Sequence, residues 1–132
     1  MSADNPTSIF AWNEYLKTFI GELCETFPEC AELFALMSAV EAMIDDDESS
    51  ALHEFVNQIE PYTDAVITMN ESVVLDADIE FLKRLGIRQY WTPDLEVETK
   101  DAIWRYLQTL LCMGKTILTV PPEMLRQLGK KY

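Results

Sequence analysis

Apolar residues step by three and four along most of this chain, which restricts it to helices packed on helices. Ile9, Trp12, Leu16, Phe19, Ile20, Leu23 and Phe27 fall on one face of a helix. The same spacing returns at Leu52, Phe55, Val56 and Ile59, and again at Ile103, Trp104, Leu107, Leu110, Leu111 and Ile117. Val73-Val74-Leu75 is the only strand-like run, and three residues are too few to argue a sheet. The implied fold class is all-α: a compact single-domain bundle of about five to six helices over residues 1–132. A chain of that size buries about two-thirds of its unfolded surface. With 48% apolar and 25% charged residues, wholesale disorder is not expected.

Six helical segments are expected. The first runs from Ser8, an N-cap, to Thr26, and Pro28 ends it and serves as the first residue of the second. That second helix, about 28–44, is apolar on two sides: Leu33, Leu36, Met37, Val40 and Ile44 form one stripe, and the small residues Ala31, Ala35, Ser38 and Ala42 form another. Such a helix is expected to be sandwiched in the core, with a docking surface for a partner helix as the alternative. Ser49 or Ser50 caps a third helix that Pro61 stops or kinks, and Met69–Leu75 reads as a loop or short extended piece. Asp76 or Asp78 caps a short helix closed by Gly86, and Thr99 starts the longest, about 100–118. Pro121-Pro122 open a last one, Glu123–Leu128.

Charge divides the chain in two. Residues 1–80 hold eighteen acids against one base, Lys17, for a net of −17; residues 81–132 hold nine bases against five acids, for a net of +4; together these give the formal −13. A fold needs no such asymmetry, so it bears on partners, solubility and self-association. An acidic face of this density repels nucleic acid and anionic membrane and attracts basic protein segments. The three cysteines, Cys24, Cys30 and Cys112, are an odd number and, with a polar start lacking a signal sequence, suggest buried free thiols in a reducing, intracellular setting. The most apolar stretch, 106–120, contains Gln108 and Lys115 and is short of a membrane span.

The apparent chemical motifs fail on their own mechanics. Gly114-Lys115-Thr116 ends like a phosphate-binding loop, but Thr109 stands where that loop's first glycine belongs, and the preceding residues look helical. His53-Glu54 begins like a zinc-protease helix, yet Asn57 replaces the second histidine and the chain has no other. The acid runs Asp45–Glu48 and Asp76–Glu80 lack the glycine that turns a calcium loop. No catalytic residue, metal or cofactor is therefore expected, and the chain reads as a non-enzyme.

Phe81 to Leu111, with Gly86-Ile87, Tyr90-Trp91, Thr99-Lys100 and Ile103-Trp104-Arg105-Tyr106-Leu107-Gln108, resembles small helical proteins of nucleocytoplasmic large DNA viruses. Phe19-Ile20, Glu22-Leu23 and Phe27-Pro28-Glu29 fit the same pattern. The resemblance covers about half the chain and carries over no functional residue. It implies a viral protein within the infected cell, in host cytoplasm or nucleus, or inside the virion.

The leading expectation is a protein–protein interaction domain whose acidic half docks on a basic protein partner. Glu22, Glu25, Glu29, Glu32, Glu41, Asp45, Asp46, Asp47 and Glu48 are the candidate partner-binding residues. One alternative is self-assembly as a homo-oligomer through the oppositely charged halves. Another is a DNA mimic or nucleic-acid-associated protein, in which Lys83, Arg84, Arg88, Lys100, Arg105, Lys130 and Lys131 gather beside Tyr90 and Trp91. Direct nucleic-acid binding is disfavoured by the overall charge.

Overall fold

The computed structural model describes residues 8–119. They form an all-α bundle with no strand among them: α1 (Ile9–Thr26), α2 (Ala31–Asp46), α3 (Ser50–Ile59), α4 (Thr63–Ile67), α5 (Ser72–Leu75), α6 (Glu80–Leu85) and α7 (Val97–Thr119). Short 3-10 turns at Glu60–Tyr62 and Ile87–Tyr90 complete the order. The expected helix at Glu123–Leu128, with Lys130 and Lys131, lies outside the described residues.

The apolar stripe of α1 buries Trp12, Leu16, Phe19, Ile20 and Leu23, and Ser8 caps the helix by accepting a bond from the Ala11 N–H. α7 packs against α1, α3 and α4 and supplies the centre of the core through Leu107 and Leu110, while α2 lies against α1, α3 and α6. Two glycines are dictated by packing. Gly114 sits inside α7, where a Cβ would stand 2.6 Å from Val56 Cγ2, so it permits the close approach of α7 to α3 and belongs to no phosphate loop. Gly86 closes α6 at φ 69°, the left-handed conformation that ends a helix without a side-chain penalty.

Several local expectations are corrected. Pro28 does not begin α2; it lies in a turn closed by the Cys30 N–H on the Phe27 carbonyl, and α2 starts at Ala31. Asp45 and Asp46 belong to α2, whose C-cap is Asp47. Ser49 is the N-cap residue of α3, one of the two serines expected there, but its side chain makes no capping bond; the Asp47 carboxylate accepts from the Ser49 N–H at 3.0 Å and from its hydroxyl at 3.0 Å. Val73-Val74 fall on a helical turn, bonded Leu75 N–H to Glu71 carbonyl and Asp76 N–H to Ser72 carbonyl, which buries both valines at once. Neither Asp76 nor Asp78 caps α6: Asp78 pairs with Lys83, and the Phe81 N–H is taken by Gln58 Oε1 of α3 at 2.7 Å. α7 begins at Val97, ahead of the expected Thr99.

The sandwiched reading of α2 also fails for half of its surface. Leu33, Leu36 and Val40 are buried, but Ala31, Ala35, Ser38 and Ala42 are exposed, and Phe34 beside them is 51% exposed. Four small side chains give neighbours too little area to hold against, so the large-residue stripe alone decides which side faces the core.

Candidate functional site

α1 and α2 form an antiparallel hairpin, and this topology sorts the nine candidate acids into two groups. Glu22 and Glu25 lie at the end of α1, Glu29 in the turn and Glu32 in the first turn of α2. Glu41, Asp45 and Asp46 lie toward the other end of α2, followed by Asp47 and Glu48. A sixteen-residue helix is about 24 Å long, so the acids make two poles and not one face. The second pole is tied to α1 by Asn13 Nδ2, which donates to the Glu48 carbonyl at 2.8 Å.

The acids differ in what holds them. Glu32 complements the positive pole of α2 and lies 3.5 Å from Cys30 Sγ. The Ser49 backbone N–H and hydroxyl hold the Asp47 carboxyl below its ordinary range, so Asp47 is accounted for by its turn. Glu41 and Asp45 share the field of Lys17, whose ammonium pairs with Glu14 at 2.9 Å; the Glu14 bond chiefly raises the Lys17 pKa. Glu25, Asp45 and Asp46 stand in the last turns of their helices, and neither helix has a base there. The unpaired carbonyls at a helix C-terminus carry partial negative charge, so each such carboxylate is disfavoured by about 0.3–1 kcal/mol.

A groove of about 200 Å³ runs between the end of α1 and the start of α7. Its floor is Phe19, Leu23 and Ile103, its rim carries Glu22 and Glu98, and no lysine or arginine lines it. Tyr106 forms one wall, stacked on Phe19 with ring centroids 4.8 Å apart. Burial, reinforced by the neighbouring Glu22 carboxylate, pushes the Tyr106 phenol up to about 12. Glu98 reads in the sequence as a connector acid ahead of a helix starting at Thr99; the structure places it in the first turn of α7, and nothing in the sequence brings it to the same groove as Glu22.

Three of the bases expected beside Tyr90 and Trp91 have partners within the chain. Arg88 Nε donates to the Val74 carbonyl at 2.6 Å and its Nη2 to Ala77 at 3.0 Å, Lys83 pairs with Asp78, and Lys100 lies 3.5 Å from Glu71 and over the Trp91 ring. Trp91 is 5% exposed, with its Nε1 donating to Glu71 Oε2 at 2.9 Å, and Tyr90 stacks on Phe27. Arg84 and Arg105 are exposed.

His53 is exposed on α3, and among the described residues no three His, Cys, Asp or Glu side chains converge on a metal position. The thiols are free but not alike: Cys30 is buried, Cys24 is half-buried and Cys112 is exposed, which corrects the expectation of uniform burial. No described helix is long and apolar enough to cross a membrane. No family model, curated protein or solved structure matches the chain.

Proposed function

We propose that this chain is a protein–protein interaction domain whose α1–α2 hairpin docks on a basic protein. The observation that carries the reading is the placement of Glu25, Asp45 and Asp46 at helix C-termini without a base in either last turn; Lys17 of α1, whose field Asp45 shares, is itself paired with Glu14. Local stability alone would favour lysine or arginine at those positions. Carboxylates that work against their own helices are accounted for by a cationic partner, which relieves the unfavourable field on binding and is drawn in by it beforehand. The resemblance to proteins of large DNA viruses adds the proposed setting, an infected-cell factor or an internal virion component.

Three of the C-terminal-half bases already have acidic or carbonyl partners within the chain, which weighs against head-to-tail assembly and against nucleic-acid binding. A basic partner that itself binds DNA would make the domain a competitor for that surface.

The test is affinity capture from the native cellular or infected-cell extract, eluted in salt steps, with the wild type and a Glu25→Gln/Asp45→Asn/Asp46→Asn variant side by side. A basic protein released at moderate salt from the wild type and missing from the variant supports the reading. Recovery of nothing beyond the protein itself, or equal recovery on both, contradicts it.

A further inference from the structure

We propose that the α1–α7 groove is a receptor for one cationic side chain, a lysine or arginine presented by a basic protein. The inference rests on the docking function above and names the chemistry of one contact within it. It stands on the shape and the composition of the groove together. Phe19, Leu23 and Ile103 provide an apolar floor along which an aliphatic stem can lie, and Glu22 and Glu98 put two carboxylates at the rim where a charged head would emerge. Lysine and arginine bind in this divided manner, with the stem buried and the head kept near water. The Tyr106 ring, stacked on Phe19, closes one side of the same space.

An intramolecular cation does not fill this role among the described residues: the ion pairs are Lys17–Glu14, Lys83–Asp78 and Lys100–Glu71, and none involves Glu22 or Glu98. Glu98 has a local function as well, since it complements the positive pole of α7. Glu22 accepts a hydrogen bond from the Tyr106 hydroxyl, which keeps its negative charge and holds the carboxylate at the groove. A neutral apolar guest would gain the floor but leave both carboxylates desolvated, whereas an anion would be repelled.

The experiment uses the full chain with amide and methyl NMR, titrated with N-acetyl-lysine amide, N-acetyl-arginine amide and, as the uncharged control, N-acetyl-norleucine amide. The expected result is a saturable shift at Leu23, Ile103 and Tyr106 with a cationic probe, absent with norleucine. In Glu22→Gln/Glu98→Gln, whose two substitutions are isosteric and exposed, affinity should fall by roughly fivefold or more. The lysine and arginine arms identify which head the groove prefers. Shifts that are unsaturable, equal for norleucine or unchanged in the variant overturn the inference. A lysine-rich peptide is titrated in parallel. If it binds with salt sensitivity but shifts only residues outside the groove, the groove assignment falls and the docking function stands; if neither probe nor peptide binds, both fall.

Discussion

Trp12 Nε1 donates to the Leu110 carbonyl at 2.9 Å, joining α1 to α7 across 98 residues of sequence inside the core. Trp12 has no exposed surface, so its indole N–H must find a partner there, and the Leu110 carbonyl supplies it. The approach depends on Gly114, where a Cβ would stand 3.4 Å from that same nitrogen and 2.6 Å from Val56 Cγ2.

Gly114→Ala should therefore destabilise the fold by about 1–3 kcal/mol through overpacking, although alanine is intrinsically favoured over glycine in a helix by about 1 kcal/mol. Urea denaturation decides between the two effects. A more stable variant would mean that α3 and α7 are not in contact at this point.

Arg88 should matter more for one segment than for the whole chain. Its two bonds to the Val74 and Ala77 carbonyls hold the turn around α5, and a lysine cannot reproduce the forked geometry. Arg88→Lys is expected to cost about 1–3 kcal/mol, with hydrogen exchange accelerated first at residues 72–79. Uniform loss of protection would show that the segment unfolds only with the core.

The Tyr106 phenol gives a pH signature. Its pKa rises from an ordinary 10.0 to about 12 in the folded protein, so the native state favours the neutral form. That contribution is fully present below pH 10.0 and is lost as pH climbs toward 12. Denaturation midpoints taken across this window should fall, and Tyr106→Phe should fall less steeply. Parallel curves for the two proteins would place the alkaline sensitivity elsewhere.

Thiol accessibility checks the packing of the α1–α2 turn. Cys112 should react first with an aromatic disulfide reagent, Cys24 more slowly and Cys30 last, because burial shields Cys30 and pushes both the Cys24 and Cys30 thiols up. Cys30 Sγ donates to the Leu85 carbonyl at 3.6 Å, and fast reaction there would indicate that this contact with the end of α6 is open in solution.

The periodicity of Trp12, Leu16, Phe19 and Ile20 was enough to read α1, and Ile103 to Ile117 enough to read α7, because each presents a wide apolar stripe to one core. At two of the places where the structure differs from the sequence reading, a tertiary partner replaces a local signal. Gln58 takes the Phe81 N–H that an aspartate was expected to take, and Arg88 fixes the Val73-Val74 turn from fourteen residues away. The outward face of α2 was misjudged because small apolar residues fit a tight core and a bare surface equally well. The site was legible in part: the acids were visible as composition, but their division into two poles needs the hairpin, and the meeting of Glu22 with Glu98 needs α7 against α1.

On the proposed function, Glu25, Asp45 and Asp46 serve a cationic partner at the expense of their own helices. The most direct test measures both quantities on Glu25→Gln/Asp45→Asn/Asp46→Asn: unfolding free energy at low salt, and calorimetric binding of a short lysine- and arginine-rich peptide at low and moderate salt. The account predicts a free protein stabilised by about 1–2 kcal/mol that binds the peptide more weakly and with a shallower dependence on salt. A variant that is no more stable, or that binds with unchanged affinity and salt dependence, would contradict it.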